Sequence, residues 1–181
     1  TKDNKTVNRL AVGAIFLVLL LTFKSLSLPI ILLVAIQAAI WINLATPYFL
    51  GSQLSFVGFL IISAVQLGAT VDYAILLNSH YMTNRRSMPP REALHQTLDE
   101  TATSILVSAS ILSLAGATLW LTSSNPMVSE LGMLLGRGTA FSMLMVFFFL
   151  PAALSLFDRL IERTTMGISF YRERDEHERI K

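Results

Sequence analysis

Cysteine is absent from the 181 residues, and ionisable side chains are scarce, with Asp, Glu, Lys and Arg making up 14% of the chain. The first absence excludes disulfides and thiolate metal sites. The second sets the chain apart from an ordinary soluble domain, where charged residues make up about 25%. The few charges gather at the two ends and in one middle segment. Between Leu10 and Tyr81 the only Asp, Glu, Lys or Arg residues are Lys24 and Asp72. His80, His95 and His177 lack metal-ligand spacing, so no metal is expected. There is no phosphate loop, no Gly-x-Ser-x-Gly and no separate acid–base pair, so neither a cofactor nor an enzymatic activity is expected. The basic residues form no aromatic-interleaved patch, which leaves nucleic-acid binding without support. Thr1 is not an initiator methionine and the first apolar run lacks a small-residue cleavage site, which suggests a piece of a longer polypeptide rather than a signal peptide.

What the chain has in place of charge is long apolar runs. Five of them, at about 7–24, 29–46, 54–81, 101–122 and 131–157, approach or exceed the roughly 20 residues a helix needs to cross a bilayer. They are continuous rather than alternating, which favours helices over barrel strands. The expected fold is all-α, a polytopic bundle of five transmembrane helices over residues 1–163. A cytoplasmic amphipathic segment over 82–100 interrupts it, and a charged tail over 164–181 follows. Ser27 is the expected N-cap of the second helix, and Pro47 and Gly51 punctuate its end. If the helices alternate in direction, one side holds Lys2, Lys5, Arg9 and Arg137, and the other holds the remaining ten basic residues. The positive-inside rule puts the second side, with the C-terminus, in the cytoplasm of a multi-pass protein of the cell membrane.

Asp72 is the outlier in this pattern. It falls close to the expected bilayer midplane, where a carboxylate is costly and is paired, protonated or functional. No Lys or Arg lies at its depth. Low dielectric disfavours the charged form of a carboxyl group, so an aspartate reached by water from alternate sides can load and release a proton. Gly68 and Ala69 lie on its helical face and are small enough to admit another helix closely. Tyr73, Gln66 and Thr70 widen the polar wedge, which is expected to point into the bundle. On the fourth helix Ser108 falls at a similar depth, with Ser104 one turn away, as a hydrogen-bonding partner for the carboxylate or as small packing residues. Gly132 and Gly136 read as helix-packing positions at the start of the fifth run.

The stretch Gly68-Ala69-Thr70-Val71-Asp72-Tyr73, followed by Leu76-Leu77 and Arg85-Arg86, resembles the fourth-helix motif of the resistance–nodulation–cell division (RND) superfamily. The Asp-Tyr pair points to its MMPL (mycobacterial membrane protein large) branch. Leu131 to Gly138 and Leu150-Pro151-Ala152-Ala153-Leu154 resemble that branch's sixth helix. The resemblance implies five of the six helices of one transmembrane half, with a porter domain and a second half as partners. It implies proton-driven export of lipids or other hydrophobic small molecules, with Asp72 and Tyr73 in the proton relay and Ser108, then Ser104, assisting. The alternative is a sterol-sensing-domain-like lipid sensor or scaffold, which would not depend on Asp72.

Overall fold

The computed structural model describes residues 2–23, 25–49 and 56–165, and among these it is a bundle of helices without a named strand. In chain order these are α1 (Lys2–Phe23), α2 (Ser27–Phe49), α3 (Phe56–Asn84), α4 (Pro90–Thr122), α5 (Pro126–Leu144), a π-helical turn (Met145–Phe149) and α6 (Leu150–Thr164). The expected tail over 164–181 lies almost wholly outside the described residues. Among the described residues, four apolar helices are long enough to cross a membrane: α2, α3 from Gly58, α4, and the continuous rod Pro126–Thr164. The first expected run, about 7–24, is helical as α1, whose described apolar stretch is Val12–Phe23.

The expected boundary between a surface helix at 82–100 and a span at 101–122 is not present. α3 runs on to Asn84, a turn covers Arg85 to Pro89, and α4 begins at Pro90 and continues unbroken to Thr122. Pro90 opens it because a missing N–H costs nothing in the first turn. With 33 residues, α4 is about 50 Å long against a hydrocarbon core of about 30 Å. The amphipathic segment is therefore the overhang of the spanning helix rather than a separate element. α2 likewise passes through Pro47 to Phe49, where a proline in the last turn removes one hydrogen bond without breaking the helix.

The fifth run contains the clearest irregularity. Pro151 has no N–H, and its ring crowds the carbonyl four residues earlier, at Phe147. The chain accommodates this with the π-helical turn Met145–Phe149, which inserts one residue and lets the rod continue as α6. Asn125 caps α5, its side chain accepting from the Met127 N–H at 3.0 Å. The core is assembled from all the helices, with Leu19 and Phe23 of α1, Leu28, Leu32 and Ile36 of α2, Leu77 and Tyr81 of α3, Ile105 of α4, and Leu150, Leu154 and Ile161 around α6.

Helices α4 and α5 meet through glycine. A Cβ on Gly116 would lie 2.5 Å from the Gly136 nitrogen and 2.7 Å from the Gly132 carbonyl oxygen, so the two backbones touch with no room for a side chain. Ser113 adds a hydrogen bond to the Gly136 carbonyl at 3.1 Å.

Candidate functional site

Asp72 sits two residues past the middle of the 29-residue α3, about 3 Å along its axis. Its side chain is exposed and has no hydrogen bond or ion pair with any described residue. Gly68, one turn earlier, is also exposed, and a Cβ there would meet nothing within 4 Å. The close approach expected at Gly68 and Ala69 is thus not made by the described residues; Ala69 is half-buried and Gly68 opens outward. Tyr73 turns the other way, 8% exposed and packed in the core, as adjacent residues on a helix must diverge by about 100°. No hydrogen bond joins it to Asp72.

Ser104 and Ser108 of α4 are exposed as well, and neither is hydrogen-bonded to a described residue. The buried face of α4 is instead Ala93, Thr97, Thr101, Ile105, Ala109 and Gly116. The antiparallel register of α3 and α4 is set at their joined end. There His80 Nδ1 meets Glu100 Oε2 at 2.9 Å, and Asn84 Nδ2 donates to Thr97 Oγ1 at 3.1 Å. Carried along both helices at equal rise, this register puts Ser108 at the level of Asp72 and Ser104 at that of Leu76. The polar wedge expected to point inward is split: Asp72 and Gly68 face out, while Gln66 and Thr70 face in.

The inward half forms a network that the sequence reading did not single out as a unit. Asn43 of α2, 0% exposed, donates from Nδ2 to Gln66 Oε1 at 2.8 Å and to the Leu134 carbonyl at 3.0 Å. Gln66 Nε2 donates to the Gly138 carbonyl at 3.2 Å and to Ser142 Oγ at 3.3 Å. The Thr70 and Ser142 hydroxyls share a 2.6 Å bond. Arg137 reaches across from α5, with Nε on Asn43 Oδ1 at 3.0 Å and a terminal nitrogen on the Asn43 carbonyl at 3.3 Å. Three helices are tied together in this way near the middle of the bundle. Its signals in the sequence are the Gln66/Thr70 pair at i, i+4 and the isolated charge of Arg137.

A second polar cluster closes the end that carries the α3–α4 turn. Arg85, 4% exposed, grips Asp158 of α6 with two hydrogen bonds of 2.9 Å, Nε to Oδ1 and a terminal nitrogen to Oδ2. Tyr81 donates to Asp158 Oδ1 at 2.7 Å, and Arg85 also reaches the Met88 carbonyl at 3.3 Å. Burial works against the Arg85 charge, but the hydrogen bonds and charge of Asp158 outweigh it and hold the guanidinium pKa above its ordinary value. Beside this clamp Thr164 donates to Ser27 Oγ at 2.8 Å, joining the end of α6 to the start of α2. Among the described residues no group of three or more His, Asp or Glu side chains could hold a metal ion.

The helix lengths, the apolar exteriors of α2 and α4 and the polar interior define a multi-pass membrane protein in contact with the lipid bilayer. The chain belongs to the MMPL family, whose profile matches residues 1–176. No curated protein and no solved structure matches it.

Proposed function

We propose that this chain supplies half of the proton-relay transmembrane domain of an RND-type exporter of lipids or other hydrophobic small molecules, with Asp72 as the proton carrier. The observation that carries this reading is the position of Asp72: mid-helix, outward-facing and without a partner among the described residues. A carboxylate turned toward hydrocarbon is expensive, so such a group is met by protein or by a water-lined path. Gly68 opens outward one turn before it, and Ser104 and Ser108 are exposed at matching levels of α4, which suits a second transmembrane half packed there. Protonation would remove the charge and change which packing of the two halves is favoured, and that bias is what could drive a porter domain. Ser108 is the better-placed hydroxyl for the carboxyl group. The role of Tyr73 is to hold α3 in the core rather than to bond Asp72 directly. The cytoplasmic membrane, with the α3–α4 turn and the C-terminus on the cytoplasmic side, is the location that fits the distribution of basic residues.

The test is Asp72→Asn in the full-length polypeptide. The amide keeps the size of the side chain and cannot carry the proton. Membrane insertion and expression should be unchanged while export is lost. Export at the wild-type rate would overturn the proposal and leave a lipid sensor or scaffold as the better description.

A further inference from the structure

On α3 the residues Gln66, Thr70, Ala74, Asn78, Tyr81 and Arg85 follow at steps of three or four and are all buried. They form one interior stripe, polar at every position except Ala74. Its members are hydrogen-bonded as described above, with one exception. Asn78 is 0% exposed, and neither its Oδ1 nor its Nδ2 has a hydrogen-bond partner among the described residues.

A primary amide brings two donors and two acceptor sites. Leaving all of them unmet in a low-dielectric interior is unfavourable, and folded proteins meet such groups with ordered water that makes two to four hydrogen bonds. The surroundings of Asn78 suit such a water. By the register that pairs His80 with Glu100 and Asn84 with Thr97, Thr101 of α4 falls at the level of Ser79 and His80, within a turn of Asn78. Thr101 is also 0% exposed, and its hydroxyl donates to the Thr97 carbonyl at 2.7 Å, which leaves its oxygen free to accept. One turn further along α3 lies Tyr81, whose hydroxyl is engaged by Asp158 and Arg85.

We propose that Asn78 is a water-binding site in the interior of the bundle, where a pair of ordered waters joins its amide to the Thr101 hydroxyl. One water accepts from Nδ2, the other donates to Oδ1, and Thr101 Oγ1 accepts from the pair. The site lies about 120° round α3 from Asp72 and extends the polar clamp of Tyr81, Arg85 and Asp158 toward the middle of the bundle. It is independent of the proton-carrier reading.

The measurement is radiolytic hydroxyl labelling of the full-length protein in nanodiscs with ¹⁸O water, read at Tyr81 and Met82. Both residues are shut off from bulk solvent, at 0% and 5% exposure, so a radical can reach them only from water held nearby. Labelling of both in the wild type, lost in the near-isosteric Asn78→Leu, is the expected result. A wild type unlabelled at both positions, or equal labelling in the variant, would overturn the proposal. Thermal melting supplies a second reading by sign. If the site is dry, Leu removes an unmet polar group and raises the melting temperature. If water is held, Asn78→Leu and Thr101→Val each lower it, and the double variant loses less than the two losses together. Should Asn78→Leu fail to fold, Thr101→Val replaces it in the labelling comparison.

Discussion

Asp72 and Arg137 are both charged residues in apolar runs, and the bundle treats them in opposite ways. Arg137 is drawn inward by two hydrogen bonds to Asn43, whose own amide is fixed by Gln66 and the Leu134 carbonyl. The arrangement requires a residue without a side chain at position 138, since a Cβ there would collide with Asn43 Nδ2 and lie 2.8 Å from Gln66 Oε1. Gly138→Ala should therefore force the amides apart and cost about 1–3 kcal/mol, read as a lower melting temperature; an unchanged melting point would show that the network can shift without cost. Asp72 could be recognised from sequence because a lone carboxylate in 70 residues of apolar chain is visible without a fold. Asn43 and Gln66 could not be matched that way. Neutral amides leave no charge signature, and their pairing depends on which helices become neighbours.

At the scale of elements, the apolar cores of the helices were legible and their ends were not. Hydropathy falls off at Phe157, where the expected fifth span stops, yet the helix continues because α6 becomes amphipathic and buries Asp158 beneath Arg85 and Tyr81. The same cause hid the unity of α4, whose polar first turns overhang the apolar remainder. These overhangs are where the Arg85–Asp158 clamp is built, and it holds the α3–α4 turn to the end of the rod. Removing one member of a buried, bidentate ion pair strands the other, at a cost of about 3–5 kcal/mol. Asp158→Ala should accordingly lower the melting temperature and make the turn at 85–89 more sensitive to protease. If neither changes, the clamp adds nothing to stability and the two ends are joined by apolar packing alone.

At the scale of the whole molecule, tight packing between α4 and α5 contrasts with uncovered small and polar residues on α3 and α4. α4 and α5 are locked by Gly116, Gly132 and Gly136, whereas Gly68, Asp72, Ser104 and Ser108 lie uncovered. The sequence pattern could mark Ser104, Ser108 and Gly68 as small or polar. It could not say that each of them is exposed, because that depends on which side of each helix the core takes. Gly68 has open space among the described residues, so Gly68→Val should leave the stability of this bundle nearly unchanged. Export by the full-length protein should nonetheless fall, because the added side chain would obstruct whatever packs against Asp72. Wild-type export in that variant would argue that no close-packed surface lies there. The most direct measurement is substrate-dependent proton movement across proteoliposomes holding the full-length protein, wild type beside Asp72→Asn at equal loading. Proton uptake coupled to substrate in the wild type and none in the variant is the predicted result; equal uptake in both would contradict a proton-carrying role for Asp72.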